Sequence, residues 1–513
     1  MKSKRLICVS AMTLLAVAMP VSLGGQNKAR QGRHQHHHYQ LIDMGTFGGP
    51  SSSFVVPAWV RLLNKGGAAV GASDTSTPDP YCIGFNYDCY VADGFKWHDG
   101  VASQLGALPG FTGLNNALAS WISDNGLTVG VSENGIDPLT GNPAFEAILW
   151  GTDDSLTDLG TLGGNESMAN AVNNRGQVAG GALNTIPDPY TSNYFNFFLS
   201  SATQVHAYRW TKSHGMQDLG TLGGSDSNAF LINERGQIAG WSFTNTTPNP
   251  VLDECSGYSQ NVPTEDPFLW TEGRMIDLGS LGGTCGRATA LNNGGQVVGF
   301  SALAGDLSGH AFLWRNESEG MKDLGTLGGN TGYAFFINDA GDVVGFDTLA
   351  DGTGRGFLWR HGAMTDLGSL PGYQCSNAFS INERDQIVGV ADLACDGATQ
   401  VATLWQNGSI ADLNTLIPPN SGLQIYVAYQ NNDRGEIAAQ ANDANGNNHA
   451  ILLIPCDRNH PGVEGCDYSM VEAEADAVAA VQVPKVARTP SGAMQNRKAL
   501  ARPGRLRARM ARR

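Results

Sequence analysis

Two repeated positions in the sequence carry residue types that could do chemistry. The first is the Asp that opens a DLG-T/S-L-G/P-G motif, found as Asp158, Asp218, Asp277, Asp323, Asp366 and Asp412, the last in a weaker copy. The second lies four residues before a recurring Trp and reads Asp93, Glu146, His206, Asp266, His310, Arg355, Val401 and, before Leu453, His449. Carboxylates and imidazoles repeated in this way could bind calcium or perform acid–base catalysis.

The pattern favours structural roles for both positions. An Asp before a Gly-rich segment typically accepts hydrogen bonds from the backbone of the following turn. The second position changes from acid to base to aliphatic, which argues against one shared catalytic role and is typical of a solvated strand position. No HExxH motif, P-loop, nucleophile elbow or EF-hand loop is present. The sequence therefore predicts no catalytic residue, no metal and no cofactor.

Both positions belong to a repeat, seen best from Asp323 to Trp359. One unit reads as four short strands, Tyr333–Asn338, Asp342–Phe346, Gly356–Trp359 and Met364–Gly368. Gly falls every few residues, so no helical period survives. Four strands in roughly 45 residues are typical of a propeller blade, whereas the units of a β-solenoid, the rival architecture, are usually shorter.

Two further residues of the unit have predicted structural roles. An Asn stands before the turn between the first and second strands and is expected to shape that turn. The recurring Trp is expected to pack one blade against the next, and it appears as Trp97, Trp150, Trp210, Trp270, Trp314, Trp359 and Trp405.

The number of turns between first and second strands predicts the number of blades. There are eight, at Asn64–Gly67, Asp124–Gly126, Asn173–Gly176, Asn233–Gly236, Asn292–Gly295, Asn338–Gly341, Asn382–Asp385 and Asn432–Gly435. Seven blades is the alternative, because the first unit, around Trp59–Gly71, is the most degenerate.

The two ends of the repeat region are out of phase. The DLG-like run Tyr39–Gly45 has no blade strands before it, and the last unit, Tyr426–Ile454, has three strands with no such run after it. Pairing of Gln40–Met44 beside His449–Leu453 would complete the last blade and remove two exposed sheet edges. The sequence thus predicts an all-β fold, an eight-bladed β-propeller of four-stranded blades closed by the N-terminal strand, over residues 39–456.

These motifs carry a family resemblance. DLGTLGG, IN-x-x-GQVVG and His310-Ala311-Phe312-Leu313-Trp314 resemble the HAF-family "probable extracellular repeat", and the resemblance covers residues 39 to about 455. Only His310-Ala311-Phe312 spells the family's name in full, and other units depart from it. The resemblance implies an exported repeat protein. It supplies no established activity and no catalytic residues.

The ends of the chain point to export. Basic residues precede an apolar run from Leu6 to Met19, which predicts a secretory signal peptide over residues 1–25. Residues 26–38 read as a solvated basic linker with a His cluster, and residues 457–513 as a cysteine-clipped segment followed by a basic, disordered tail. The expected location is secreted, periplasmic or extracellular, with no transmembrane segment.

Eight cysteines follow Cys8, and an even number in an exported chain predicts disulfides. Proximity in the sequence favours the pairs Cys82–Cys89, Cys375–Cys395 and Cys456–Cys466, which leaves Cys255 with Cys285.

The charge of the chain is divided unevenly. The formal net charge is −15; residues 1–38 contribute +6 and residues 485–513 contribute +10, so the stretch between them carries −31. An acidic body argues against nucleic acid as a partner, because phosphate contacts need a basic face. The basic tail could contact anionic surfaces or fold back on the acidic body.

Long inserts between the second and third strands distinguish the first four units. They are Asp74–Ala92, Glu133–Ala144, Leu183–Val205 and Phe243–Glu265, and they are rich in Pro, aromatic residues and Asn. Insertions on one face of a repeat protein often mark its binding face. The predicted contacts to a glycan or cell-surface protein are Tyr81, Tyr87, Tyr190, Tyr194, Phe195 and Tyr258.

Two functions remain open from the sequence. The favoured one is a binding or scaffolding module that uses the loops of the first four blades. The alternative is a secreted propeller enzyme, such as a polysaccharide lyase or a glycosidase. Stoichiometric binding without turnover would distinguish the first from the second.

Overall fold

The computed structural model describes residues 35–54, 60–81, 89–109, 116–137, 141–188, 190, 203–249 and 262–472. This part of the chain is all-β, with 34 strands and one 3₁₀ helix, Leu413–Thr415. No helix in the described part is long and apolar enough to cross a membrane. The predicted signal peptide and the basic tail beyond Glu472 lie outside the described residues.

Strands β2 to β33 form four-stranded antiparallel sheets, called units 1 to 8 in chain order. Units 1 and 2 comprise β3 (Gly48–Ser53), β4 (Ala69–Pro78), β5 (Tyr90–His98), β6 (Val101–Gln104), β7 (Ala117–Ile122), β8 (Thr128–Ile136), β9 (Pro143–Trp150) and β10 (Leu156–Asp158). Units 3 and 4 comprise β11 (Ser167–Val172), β12 (Val178–Pro187), β13 (Thr203–Thr211), β14 (Gly215–Asp218), β15 (Ser227–Ile232), β16 (Ile238–Phe243), β17 (Glu265–Thr271) and β18 (Arg274–Asp277).

Units 5 to 8 repeat this order of strands. Units 5 and 6 comprise β19 (Gly282–Leu291), β20 (Val297–Leu303), β21 (Gly309–Trp314), β22 (Met321–Asp323), β23 (Gly328–Ile337), β24 (Val343–Leu349), β25 (Gly354–Arg360) and β26 (Ala363–Asp366). Units 7 and 8 comprise β27 (Cys375–Ile381), β28 (Ile387–Asp392), β29 (Gln400–Gln406), β30 (Ser409–Asp412), β31 (Gln424–Asn431), β32 (Ile437–Asn442), β33 (Asn448–Pro455) and, from the N-terminus, β2 (Tyr39–Asp43). Single parallel pairs join units 4, 5 and 6 into one larger sheet.

The alternating direction of the strands gives every unit two different edges. The turns between first and second strands and those between third and fourth strands lie at one edge, here called the turn edge. The connections between second and third strands, which contain the inserts, and those from one unit to the next lie at the other, here called the insert edge. The predicted position of the inserts is therefore confirmed where the structure describes them.

The turns between first and second strands are held by the predicted Asn. Asn233 Oδ1 accepts hydrogen bonds from the backbone N–H of Arg235 and of Gln237, both at 3.0 Å. Gly236 closes this turn with φ of +81°, a conformation that glycine adopts without strain. The Asn233 side chain also donates to the backbone oxygen of Asn292 in the next unit, at 3.0 Å. The residue thus shapes its own turn and joins two units.

The core lies between neighbouring sheets. The recurring Trp is buried in six units and half-buried in unit 4, and Leu453 is fully buried at the same position in unit 8. One apolar cluster runs from Trp121 in unit 2 to Trp314 in unit 5. The predicted packing role of the Trp is confirmed.

The N-terminal strand completes unit 8 as the sequence predicts. Strand β2 pairs antiparallel with β33, with Leu41 opposite Leu453 and Asp43 opposite Ile451. Unit 8 also contacts unit 1: the Asn432 side chain donates to the Asn64 backbone oxygen at 3.0 Å.

Short terminal segments meet beyond the turn edge. Strand β1 (Gln35–His37) pairs with β34 (Met470–Glu472), and the Cys456 N–H donates to the His38 backbone oxygen at 2.8 Å. Residues 35–38 and 456–472 are here called the terminal clasp. The interpretation of residues 26–38 as a solvated linker is wrong for residues 35–38, because His36 is 1% exposed and its Nε2 lies 2.9 Å from Ser409 Oγ.

Two of the predicted disulfides lie wholly within the described residues. Cys375 is bonded to Cys395, and Cys456 is bonded to Cys466 within the terminal clasp. Cys89 and Cys285 are also disulfide-bonded. Their predicted partners, Cys82 and Cys255, lie outside the described residues.

Candidate functional site

The two chemically capable positions of the repeat meet at the insert edge. The residue four before the Trp lies in the first half of the third strand, and the Asp of the DLG motif ends the fourth strand beside it. His206 Nδ1 lies 2.8 Å from an oxygen of Asp218, and His310 Nδ1 lies 3.0 Å from Asp323. Seven units show such a pair, namely Asp93 with Gln104, Glu146 with Asp158, His206 with Asp218, Asp266 with Asp277, His310 with Asp323, Arg355 with Asp366, and His449 with Asp43. In unit 7 the apolar Val401 occupies the first position, so Asp412 has no polar partner there.

In units 2 to 6 the Asp that ends the fourth strand also holds the turn that follows it. Asp158, Asp218, Asp277, Asp323 and Asp366 each accept a hydrogen bond at 2.7–2.8 Å from the N–H of the Gly two residues later. The predicted structural role of this Asp is confirmed. The interpretation of its partner as a solvated position is wrong, since the His206, His310 and His449 side chains are only 13–16% exposed. The sequence did not reveal that the two positions form pairs.

The pairs differ in the kind of side chain whose pKa is raised. Burial and then the neighbouring Asp158 raise the pKa of Glu146 to about 7. Burial, Asp277 and Glu265 raise the pKa of Asp266 to about 7 in the same way. Burial acts to lower the pKa of His206, but the hydrogen bond and charge of Asp218 outweigh it and raise that pKa. The Glu146 and Asp266 carboxyls and the His206 imidazole therefore each retain a proton to higher pH than isolated side chains would.

Buried acids line the insert edge below these pairs. In units 1 and 2 the Asn116 side chain donates to Asp79 at 3.1 Å and to Glu133 at 2.8 Å, and both acids are buried. In unit 6 Asp347 is completely buried; its Oδ1 accepts from the Leu327 N–H at 3.1 Å, while Oδ2 has no hydrogen-bond partner. Among the described residues, no group of three or more His, Cys, Asp or Glu could hold a metal ion.

Three large apolar side chains are exposed at the insert edge. They are Ile186 at the end of β12 (52% exposed), Leu307 between β20 and β21 (76%), and Leu393 between β28 and β29 (46%). They belong to units 3, 5 and 7. Apolar groups rimmed by polar residues are typical of an interaction surface.

A second set of residues was missed from the sequence. In units 2 to 8 the pairing between the first and second strands leaves out one residue of the first strand, directly after an Ala that recurs in these units. This is a β-bulge, which changes the direction of a side chain. The skipped residues are Ser120, Asn170, Phe230, Thr289, Phe335, Phe379 and Tyr429. In units 6 to 8 the skipped residue is aromatic, and the three rings lie side by side. The ring centroids are 5.6 Å apart for Phe335 and Phe379 and 6.4 Å apart for Phe379 and Tyr429. In the sequence, this set could have been found as the variable position that follows the recurring Ala.

The structure describes two of the six aromatic residues that are predicted to contact a glycan or cell-surface protein. Tyr190 is 7% exposed; its hydroxyl donates to the Thr246 backbone oxygen at 2.6 Å and its ring packs against Phe243. Tyr81 is half-buried, and its N–H donates to Asp79 Oδ1 at 2.9 Å. The ring of Tyr190 therefore joins the inserts of units 3 and 4. The other four, Tyr87, Tyr194, Phe195 and Tyr258, lie outside the described residues.

Comparison with known proteins finds similarity only among solved structures. No family model matches the chain, and no curated protein matches it. The β-propeller domain of the Trilobed protease from Pyrococcus furiosus has a TM-score of 0.40 and 9% identity, with 71% of this chain and 96% of that chain covered. A puromycin-hydrolyzing peptidase from Mycobacterium tuberculosis has a TM-score of 0.39 and 12% identity, with 78% of this chain and 61% of that chain covered. Similarity at this level establishes neither a family nor an activity for this chain.

Proposed function

We propose that this chain is an exported repeat protein of the HAF type, in which eight units close into an eight-bladed β-propeller. It acts as a binding or scaffolding module, and the insert edge holds a glycan or a cell-surface protein. The disulfides and the sequence of residues 1–25 support export.

The observation that carries this proposal is the contrast between fixed and variable residues at the insert edge. The repeated Asp, which an enzyme would use for chemistry, is engaged in turn and pair contacts, whereas length and composition vary in the inserts. The exposed side chains of Ile186, Leu307 and Leu393 lie at this same edge. A fixed scaffold with variable loops at one edge is typical of binding proteins.

Contacts between unit 8 and unit 1 support closure of the propeller. The hydrogen bond from Asn432 to Asn64 repeats, at the same 3.0 Å, the bond from Asn233 to Asn292 that joins units 4 and 5. The Ala450 N–H donates to Ser52 Oγ at 3.0 Å, as the Ala207 N–H donates to Ser227 Oγ between units 3 and 4. The last unit thus meets the first through the contacts that join consecutive units.

The experiment is a binding array of glycans and cell-envelope fragments, probed with the mature chain. Once a bound probe is identified, a variant with Ile186→Asp, Leu307→Asp and Leu393→Asp should lose at least about tenfold in affinity, because burying an unpaired carboxylate is costly. Val101→Asp is the matched control, since Val101 is 67% exposed but lies at the turn edge. Equal losses in both variants would contradict the proposal, and release of cleaved product would support a lyase or glycosidase instead.

A further inference from the structure

Three aromatic rings form a continuous surface on the first strands of units 6, 7 and 8. Phe335, Phe379 and Tyr429 are the skipped residues of these units, and all three are half-buried. Among the described residues, β27 and β31 each pair with one strand only, and β23 has a single pair on its other side, Thr331 with Gly309. The three rings therefore keep exposed surface beside strand edges that are largely unpaired. They are here called the aromatic arc.

The skipped position has a structural role in other units. The Thr289 hydroxyl donates to the backbone oxygen of Ala334 in the next unit at 2.8 Å, and the Asn170 side chain donates to that of Ala229 at 2.8 Å. A phenylalanine side chain has no hydrogen-bond donor, so units 6 and 7 lack this bond to the next unit. A position that gives up a stabilising contact in some units is a candidate for a functional role in those units.

Two polar groups without partners belong to the same region. The Asn170 amide donates at 3.3 Å to Asn228 Oδ1, and Asn228 is the residue before the recurring Ala of the next unit. Asn377 occupies this place in unit 7, next to Phe335 of unit 6, and its Oδ1 has no hydrogen-bond partner in the described part of the chain. The Tyr429 hydroxyl has none there either. The aromatic arc thus combines ring faces with hydrogen-bonding groups that the protein leaves unpaired.

The aromatic arc is uncharged. Burial raises the pKa of Tyr429, so its hydroxyl stays protonated at physiological pH. Arg61, which stands three residues before the turn Asn of unit 1 as Tyr429 does in unit 8, is paired with Asp124. The acidic body repels anions such as nucleic acid. A ligand of the aromatic arc should therefore be neutral.

We propose that the aromatic arc is a carbohydrate-binding site that takes a neutral pyranose unit of an oligosaccharide. One face of a pyranose ring bears only C–H groups, and the negative face of an aromatic ring attracts them. The rim of the pyranose bears hydroxyl groups, which can bond to the side chains of Asn377 and Tyr429. A flat apolar ligand would leave both side chains unpaired, which costs affinity. This site is separate from the insert edge, and the inference does not depend on what that edge binds.

The site is tested by isothermal titration calorimetry of the mature chain with cellotetraose, maltotetraose, mannotetraose and tetraacetylchitotetraose. At least one of these neutral sugars should bind, and Phe379→Ser should lower its affinity at least about fivefold, because a stacking ring is lost. Serine is the residue of unit 2 at this position, Ser120, so the variant should fold. Phe335→Thr, which copies Thr289 of unit 5, is a second variant with the same expected loss.

Phe230→Ser is the matched control. Phe230 is the skipped residue of unit 4 and is also half-buried, but it packs against the cluster that contains Tyr190 and Trp241. This variant should keep the affinity of the parent chain. Intermolecular nuclear Overhauser effects between labelled Phe and Tyr rings of the parent chain and the C–H protons of the bound sugar give a readout that needs no variant.

Four results would overturn the proposal. They are no binding of any of the four sugars, equal losses for Phe379→Ser and Phe230→Ser, binding of an oligothymidylate in place of the sugars, and no contact between aromatic rings and sugar C–H protons. The insert-edge variant with Ile186→Asp, Leu307→Asp and Leu393→Asp should bind the sugar as the parent chain does. A loss confined to that variant would contradict a site at the aromatic arc and leave the proposed function of the insert edge standing.

Discussion

The buried carboxyl of Asp347 should make the protein more stable in mildly acidic than in alkaline solution. Burial raises the pKa of this group from 3.8 to about 7, although the Leu327 N–H and His310 favour its charged form, and Asp323 adds to the rise. A raised folded-state pKa stabilises the protein fully below the unfolded value, and this stabilisation is lost as the pH rises through the folded value. The window is therefore about pH 4 to 7.

The expected size follows from the pKa difference. At about 1.4 kcal/mol for each pH unit, a change from 3.8 to about 7 corresponds to roughly 4 kcal/mol. Relaxation around a charged Asp347 reduces this, so we expect the free energy of unfolding to fall by about 2–4 kcal/mol between pH 4 and 8 from this residue. Asp347→Asn keeps an acceptor for the Leu327 N–H and removes the charge. It should raise the unfolding temperature at pH 8 and change it little at pH 5.

The assay is thermal unfolding of the parent chain and the variant at pH 5, 6, 7 and 8. Asp351→Asn is the matched control, because Asp351 lies in the same unit at the same edge but is exposed. The control should show no gain at pH 8. The reasoning is refuted if Asp347→Asn gains no stability at pH 8, or if its gain is the same at pH 5.

Two further predictions concern the joins of the fold. Asn432→Ala should destabilise the protein by about 1–3 kcal/mol, because it removes the side-chain bond to the Asn64 backbone oxygen and the bonds that Asn432 Oδ1 accepts from the N–H groups of Arg434 and Glu436. Asn445→Ala, at an exposed turn with only local bonds, is the control, and equal unfolding midpoints for the two variants would contradict the prediction. The mature chain unfolded without reductant should show no titratable thiol, and replacing Cys456 and Cys466 together by Ser should cost about 2–3 kcal/mol by urea unfolding. Two or more thiols per chain would contradict the pairing.

Local features of the units could be predicted because each depends on residues close in the sequence. The Asp of the DLG motif and the Asn before the turn bond to backbone N–H groups two to four residues away, as Asp218 does to Gly220 and Asn233 to Gln237. The phase difference between the chain ends predicted that β2 pairs with β33, since period-two patterning and an unfilled strand position leave few alternatives.

The sequence by itself determined the all-β repeat, its turns, the burial of the recurring Trp and the disulfide between Cys375 and Cys395. Only the tertiary structure decided which polar residues meet. His449 contacts Asp43 because the N-terminal strand lies beside the last unit, and these residues are about 400 positions apart. It also decided that β1 pairs with β34 in the terminal clasp. Contacts between distant segments depend on how sheets pack in three dimensions, and no local pattern of residue types encodes that packing.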